Sequence, residues 1–281
     1  MRRLSNISVA GVLIASALLF AAPLIGVLLT SLKPLAEIEA GSLFSLPQRP
    51  TFVPWMRAWA STCINGTCHG LSAGMANSVI LTIPALLACL ILGSITGFAL
   101  SLRSSHRTNL LFAALMIGLF IPVQVTLFPM IVVLREAQLF GTRLGLIAVD
   151  LVWSLPFMTL LFRNFFVTVQ RSVLNAARID GASFLDIFLR VMLPMSVPVC
   201  TVAIVLQFTF LWNEFLLALI FSGSGHEPVT VALSILSGGQ LGIQEYNVHM
   251  AGALIAALPT ILLYLIAGRS LVRGFAPRLH G

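Results

Sequence analysis

Six long apolar runs dominate the chain, and short polar segments separate them. A transmembrane helix needs about 20 predominantly apolar residues, and every run reaches that length. The runs are continuously apolar rather than alternating, which favours helices over the strands of a membrane barrel. The pattern predicts an all-α polytopic membrane protein, a single domain over residues 1–281 with six transmembrane helices at about 9–32, 79–102, 110–134, 144–167, 197–221 and 248–268.

The composition agrees with this pattern. Hydrophobic residues make up 58% of the 281 residues and charged residues only 9%, against roughly 25% charged residues in a typical soluble domain. A soluble globule of this size would have to expose much of its apolar surface to water, so a soluble enzyme is excluded. A disordered chain is excluded as well, because such chains are polar and charged.

The basic residues indicate how the helices cross the membrane. If the N-terminus lies inside, most arginines fall on the inner side, while the outer segments hold Lys33 and four arginines. The positive-inside rule therefore predicts that both termini lie in the cytoplasm. The start of the first run also has features of a signal peptide, but its length favours a retained helix.

The predicted inner loop at 168–196 has the pattern of two short helices with a break between them. Good helix formers occupy 173–179, and Asp180-Gly181 is a turn pair in which the glycine can take a positive φ. Ser183 and Asp186 have the spacing of a capping box, which starts a new helix. Such a loop presents a rigid tip to a partner, or alternatively lies against the bilayer as an ordinary amphipathic segment.

The residues around this break resemble the Glu-Ala-Ala loop of ABC importer permeases, in which a glycine follows after three residues and the run closes in Leu-Pro. The chain has Leu193-Pro194 at that closing position, and Asn175 where the family usually has glutamate. In that family the loop forms a coupling helix that docks on the ATP-hydrolysing subunit. The resemblance assigns this role to Asn175, Ala176, Ala177, Asp180, Gly181 and Ala182.

Other stretches are similar to the carbohydrate branch of the same permeases, including the second, maltose-type subunit. They are Asn77-Ser78, Phe98-Ala99-Leu100, Ile121-Pro122, 162–166 and Trp212-Asn213-Glu214. Three further stretches resemble glucose/mannose-type members, namely 63–72, 245–248 and Arg273-Gly274.

The resemblance implies the MetI-like fold and the import of a sugar across a bacterial inner membrane by alternating access. It also implies the partners: a second homologous permease, two ATP-binding subunits and an extracytoplasmic sugar-binding protein, all acting at a lipid membrane and without nucleic acid.

The chain lacks the motifs of an enzyme. The phosphate-binding motif Gly-x-x-x-x-Gly-Lys-Ser/Thr is missing, and Lys33 is the only lysine. The histidines are scattered without metal-ligand spacing. We therefore expect no catalytic residues, no metal, no cofactor and no ATP hydrolysis by this chain itself.

Polar groups inside the predicted spans are candidates for the transport path, since they are costly in lipid. They are Gln124, Asp150, Gln207, Asn213 and Glu214. A tryptophan face can stack on a sugar ring, and amide and carboxylate groups can hydrogen-bond its hydroxyls. We expect Gln124, Trp212, Asn213 and Glu214 to border the path; the alternative is hydrogen bonding between helices.

Two alternatives to an importer subunit remain at this point. One is a self-sufficient secondary transporter or channel, and the other is a structural or assembly protein of the membrane. Separately, Cys63 and Cys68 lie in the predicted outer segment, and an oxidising exterior would allow them to form a disulfide.

Overall fold

The computed structural model describes residues 2–41, 45–62, 68–102, 105–238 and 245–275, and the side chains in these ranges from 9 to 268. The described residues form helices and connecting turns. The helices are α1 (Arg2–Ser31), α2 (Leu35–Ala40), α3 (Val53–Met56), α4 (Gly70–Ser101), α5 (His106–Gly118), α6 (Val123–Glu136), α7 (Arg143–Thr168), α8 (Arg171–Ile179), α9 (Phe184–Ile187), α10 (Leu193–Met195), α11 (Val197–Asn213), α12 (Leu216–Phe221), α13 (Val229–Ser237) and α14 (Tyr246–Phe275). Short π-helical turns follow α3 and α9, at Arg57–Ser61 and Phe188–Met192.

Four helices of the described chain, α1, α4, α7 and α14, are long and apolar enough to cross a membrane. The number rises to six if each of two bent helix pairs counts as one span. The all-α membrane fold expected from the sequence is confirmed. Five of the prolines inside the apolar runs lie within continuing helices, namely Pro23, Pro84, Pro129, Pro156 and Pro259.

The third apolar run, expected as a span over about 110–134, contains a sharp bend. α5 ends at Gly118, α6 begins at Val123, and the two helices are bent by 100°. Pro122 stands directly before α6 in an extended conformation. Proline disfavours helical backbone in the residue before it, so Ile121-Pro122 explains why the helix stops here.

The fifth apolar run, expected over 197–221, is also interrupted. α11 ends at Asn213, Glu214 is extended with φ −63° and ψ 127°, and α12 resumes at Leu216. Neither proline nor glycine lies at this break. Its cause is therefore in the side chains around Glu214, which are described below.

The described residues divide into two compact units. The first comprises Met1–Met75 and Val229–Leu258. Its core is formed by residues of α4, α13 and α14 together with Ala58: Leu71, Ala232, Leu236, Val248, Ala251 and Ile255. Polar contacts complete it, because Asn247 Nδ2 donates to the Lys33 carbonyl at 2.9 Å, and Arg57 forms an ion pair with Glu245 at 2.5 Å.

The expected disulfide of the outer segment falls partly outside the described residues, because Cys63 belongs to the segment that the structure leaves out. Cys68 is disulfide-bonded. Cys89 and Cys200 are free, and Cys89 is fully buried. Both belong to or pack against the hydrophobic cluster of the second unit.

The second unit comprises Ala76–Pro228 and Pro259–Gly281. Its helices α4 and α7 approach each other closely at two glycines. A Cβ atom added to Gly93 would lie 2.5 Å from the Met158 Cβ atom, and one added to Gly97 would lie 2.8 Å from the Phe162 Cβ atom. Small residues at this spacing allow helices to pack closely in lipid.

Candidate functional site

The segment at 168–196 contains the two short helices expected from the sequence. α8 ends at Ile179, and Gly181 follows with φ +75°. The Gly181 N–H donates to the Arg178 carbonyl at 3.1 Å, and the Ala182 N–H donates to the Ala177 carbonyl at 3.0 Å. This pair of bonds is the Schellman motif, which satisfies the last carbonyls of a helix and needs a left-handed residue. The turn predicted at Asp180-Gly181 is confirmed.

The second helix of the segment begins with the predicted capping box. The Ser183 hydroxyl accepts from the Asp186 N–H at 3.2 Å, and the Asp186 carboxylate accepts from the Ser183 hydroxyl and from the Ser183 N–H. These two hydrogen bonds hold the pKa of Asp186 below its ordinary value. Arg190 lies 3.6 Å from the same carboxylate and adds a weak attraction. The helix start is therefore fixed by its own side chains.

Aromatic packing joins this segment to the core of the second unit. Phe98 is fully buried near the end of α4, and its ring lies 5.0 Å from the Phe184 ring and 5.6 Å from the Phe188 ring. The Phe166 ring on α7 meets it edge-on at 5.7 Å. Leu174 anchors α8 in the same cluster. The segment is thus seated on α4 and α7 through side chains on both sides of its turn.

The tip of the segment is exposed. Asn175, Ala176, Asp180 and Gly181 are exposed, whereas Ala177 and Ala182 are partly buried against the core. Ile179 is 86% exposed, at the last position of α8. Sequence reasoning treated Ile179 only as a helix former. The sequence feature that could have indicated its exposure is an apolar residue between Arg178 and Asp180, on a helix whose buried contact is made by Leu174.

A second group of candidate residues lies where α11 ends. Trp212 is 3% exposed, and its ring stacks on the Phe208 ring at 5.4 Å with an interplanar angle of 14°. Asn213 is exposed, and its Nδ2 donates to the Thr209 carbonyl at 2.8 Å. Of these neighbours, Asn213 presents a polar side chain outward, while Trp212 is held inside the unit.

Glu214 caps the helix that follows the break. Its Oε1 accepts from the Leu217 N–H at 2.8 Å, and its Oε2 accepts from the Ala218 N–H at 2.8 Å. The first N–H groups of a helix have no partner within the helix itself. The carboxylate supplies that partner, which explains how α12 can begin without proline, glycine or a serine cap.

The other polar residues of the spans occupy separate positions. Gln124 is exposed in the first turn of α6, and no hydrogen bond joins it to Trp212–Glu214 in the described part of the chain. Gln207 is buried on α11 and donates to the Ser154 hydroxyl of α7 at 2.5 Å. Asp150 is 6% exposed, and its Oδ1 has no hydrogen-bond partner among the described residues. The structure therefore brings Trp212, Asn213 and Glu214 together at the break, while Gln124 lies on a different helix, α6.

A match to a protein family covers α4 to the end of the chain. Residues 71–281 match the family described as the inner membrane component of binding-protein-dependent transport systems. The chain belongs to this family. Its place among transport permeases favours an importer subunit over a structural protein of the membrane and over a self-sufficient transporter.

Relatives extend the match to nearly the whole permease. A protein of Pyrococcus horikoshii named as a probable ABC transporter permease is 31% identical over 90% of this chain and 89% of its own length. The diacetylchitobiose uptake system permease of Streptomyces coelicolor is 30% identical over 95% of this chain and 86% of its own length. The xylose/arabinose import permease of Haloferax volcanii is 28% identical over 73% and 72%.

Solved structures share the fold of the permease. A chain of a bacterial ABC transporter involved in the import of the polysaccharide alginate superposes with a TM-score of 0.81. The superposition covers 95% of this chain and 96% of that chain at 21% identity. A chain of the MetNI methionine ABC transporter superposes with a TM-score of 0.55 and 16% identity over 73% of this permease. The expected MetI-like permease fold is confirmed.

The cap at Glu214 predicts a difference between two substitutions. Glu214→Ala leaves two N–H groups of α12 without an acceptor, which we expect to cost about 1–2 kcal/mol. Glu214→Gln keeps one acceptor oxygen and should lose less. Thermal unfolding of the detergent-solubilised permease measures the difference, with the midpoint of the alanine variant lower by about 2–4 °C. Equal midpoints for the two variants would contradict the capping role.

Proposed function

We propose that the chain is the permease subunit of an ATP-driven importer that carries a sugar across the cytoplasmic membrane of a bacterium. The observation that carries this proposal is the family match over 71–281 combined with sugar-named relatives over most of the chain. Those relatives are named for diacetylchitobiose, for xylose and arabinose, and for alpha-glucosides. Their common chemistry is a hydroxylated ring, which is the substrate class we assign to this permease.

The expected partners follow from the same assignment. A second homologous permease completes the path, two ATP-binding subunits supply the energy, and an extracytoplasmic binding protein delivers the sugar. ATP hydrolysis lies on the separate subunits, because the chain carries no phosphate-binding motif. A structural neighbour is described as an alginate transporter in complex with a periplasmic protein bound to an alginate pentasaccharide. That neighbour supports such a partner for this chain by analogy alone.

The segment at 168–196 is the proposed coupling site. Its exposed tip, formed by Asn175, Ala176, Ile179, Asp180 and Gly181, would enter a groove of an ATP-binding subunit. Burial of an apolar side chain such as Ile179 stabilises a contact by roughly 1.5–3 kcal/mol. Because Asn175 replaces a carboxylate, we assign most of this contact to apolar packing rather than to an ion pair.

Movement of the tip would reach the spans through the Phe98 cluster. The rings of Phe184 and Phe188, which follow the Gly181 turn, both pack on Phe98 of α4. Leu174, which precedes the turn, belongs to the same buried cluster, so neither side of the turn can shift without disturbing that cluster. Closure of the ATP-binding subunits would thereby tilt α4 and α7 and alternate the side on which the path is open. The described contacts support this coupling route.

The proposed path for sugar runs along the break after α11. Helical interruptions at membrane depth are tolerated where they are buried in protein or line a water-filled cavity. Asn213 is exposed there and is the residue to which we assign direct hydrogen bonding with sugar. Gln124 borders the path, while Trp212 and Glu214 hold the shape of the break.

The proposed orientation predicts where the tip can be labelled. A cysteine introduced at Arg178 should be cytoplasmic, with both termini on the same side, as the distribution of arginines indicates. A membrane-impermeant maleimide added to intact cells should leave this cysteine unmodified and should label it after lysis. Labelling of Arg178→Cys before lysis would invert the topology and remove the coupling role.

The turn at Gly181 predicts a selective loss of coupling. A β-branched residue at φ +75° is strained by roughly 1–2 kcal/mol. Gly181→Val should lower the sugar imported per ATP hydrolysed by about tenfold in proteoliposomes, a factor equivalent to ~1.4 kcal/mol. Gly181→Asn is the matched control, since asparagine tolerates this conformation. An unchanged transport-to-ATP ratio in the valine variant would argue against the coupling role.

The exposed amide at the break predicts a transport defect without a folding defect. Asn213→Ala removes one hydrogen-bonding group of ~1 kcal/mol and should lower uptake about fivefold to tenfold. The variant should still assemble, because the hydrogen bond that Asn213 makes in the described part of the chain goes to the Thr209 carbonyl of its own helix. Uptake of radiolabelled sugar and co-purification of the partners measure the two properties. Wild-type uptake by Asn213→Ala would refute its place on the path.

A further inference from the structure

An apolar groove of about 490 Å³ lies in the second unit, where α4, α11 and the segment Phe184–Met195 meet. Its deep side includes Phe162 and Phe188, which are nearly fully buried. Three apolar side chains at its mouth are each more than half exposed, namely Ile91, Leu185 and Leu189. The groove therefore opens at the surface of the helices and is not enclosed by them.

The polar atoms of the lining already have partners within the protein. The Ser94 hydroxyl donates to the Ile91 carbonyl of its own helix at 3.0 Å. The Cys200 Sγ atom lies 3.4 Å from the Ser196 hydroxyl oxygen. No lining residue appears among the buried polar side-chain atoms that lack a partner in the described chain. The groove therefore offers a hydrocarbon surface and asks for no hydrogen bond from its occupant.

The segment Phe184–Met195 is oriented to lie along a membrane surface. It is bent by 77° relative to α11. Spanning helices are tilted by about 20° from the bilayer normal on average, so a segment at this angle to α11 runs mainly parallel to the bilayer. Leu185 and Leu189 then expose apolar side chains at the level where lipid headgroups give way to acyl chains.

A charged side chain flanks the mouth of the groove. Arg190 directly follows Leu189, and its side chain is 82% exposed. Asp186 lies 3.6 Å from it, but that carboxylate also accepts two hydrogen bonds from Ser183. Exposed ion pairs of this kind contribute little to stability. Arg190 therefore remains able to pair with an anionic group at the membrane surface.

The apolar lining and the flanking charge together indicate the occupant. A sugar in the groove would leave its hydroxyl groups unpaired, whereas the hydrocarbon chain of a lipid would not. A lipid chain gains little by moving from the bilayer into the groove, because lipid tails are about as apolar as leucine. Any preference must come from the headgroup, and a guanidinium beside the mouth favours a lipid with net negative charge.

We propose that the groove holds an acyl chain of an anionic phospholipid whose phosphate group pairs with Arg190. This inference goes beyond the proposed function and does not depend on which solute the chain carries. The lipid would bind the segment that follows the Gly181 turn, whereas the exposed tip proposed for coupling lies at and before that turn. The two contacts can therefore exist in one complex.

Photolabelling tests the occupant directly. The whole transporter complex is reconstituted in phosphatidylcholine bilayers that contain a trace of phosphatidylglycerol with a diazirine on its acyl chain. After illumination, mass spectrometry of peptides should find the label on the mouth residues Ile91, Leu185 and Leu189. Unlabelled phosphatidylglycerol should compete about fivefold more effectively than phosphatidylethanolamine, the factor expected of one basic side chain at a membrane.

Two arginine variants isolate the headgroup contact. Arg190→Gln should lower labelling by the phosphatidylglycerol probe about fivefold, while labelling by a phosphatidylethanolamine probe stays within about twofold. Arg171→Gln is the matched control, because Arg171 is also exposed but lies on α8 and does not line the groove. It should leave labelling by both probes within about twofold.

Two phenylalanine variants isolate the acyl-chain contact. Cys200→Phe places a ring in the groove and should lower labelling by both probes at least about fivefold. Val197→Phe is its control, since Val197 is exposed on the same helix and does not line the groove. The control should label like the wild type.

Three results would overturn the proposal. Label spread over the exposed apolar residues of α1 as heavily as over the groove would indicate ordinary solvation by lipid. Equal competition by the two lipids, without an effect of Arg190→Gln, would remove the headgroup contact. Labelling of the groove in the permease alone and not in the assembled complex would show that a partner subunit covers it. Failure of the same complex to import any sugar would contradict the proposed function and leave the labelling result standing.

Discussion

Backbone hydrogen bonding at interrupted helices is the constraint on which the rest of this structure depends. A helix that stops in or beside lipid leaves four N–H groups or four carbonyls without partners, and no water replaces them in the hydrocarbon region. The chain meets this constraint locally at three helix ends. The Schellman turn at Gly181, the capping box at Ser183 and the carboxylate of Glu214 provide the missing partners. The residues proposed to act in transport lie beside these breaks because a break is where polar groups can be both satisfied and exposed.

The same constraint on helix ends explains why neighbouring residues have different roles. In Trp212-Asn213-Glu214, the tryptophan is packed inside, the asparagine faces outward and the glutamate closes the start of the next helix. Around Gly181, Leu174 is anchored while Ile179 is exposed. In each case a buried side chain fixes the backbone, and its neighbour is thereby held at the surface in one orientation. A sequence motif alone does not distinguish the residue that fixes the backbone from the residue that is held at the surface.

Much of the fold could be predicted from the sequence, because apolar length and local caps depend on neighbours along the chain. The all-α membrane fold, the turn at Asp180-Gly181 and the capping box at Ser183 follow from such rules. The break after Asn213 could not be predicted from these rules. It depends on a glutamate that accepts hydrogen bonds from N–H groups of the next helix, and in the sequence such a glutamate looks like any other polar residue. The apolar groove beside Leu189 depends on how α4 lies against α11 and the segment Phe184–Met195, which are distant from α4 in sequence.

The close crossing of α4 and α7 has a consequence for how this chain can diverge. The space that a side chain at position 93 would need is already filled by the Cβ atom of Met158 and its backbone. Positions 93 and 158 therefore compete for the same volume. A larger side chain at 93 cannot be accommodated by moving a flexible side-chain end, because the obstructing Cβ atom of Met158 is bonded directly to the main chain. A larger residue at this crossing would require the two helices to separate. We therefore expect the glycine to be retained during sequence divergence more often than most of the apolar residues around it.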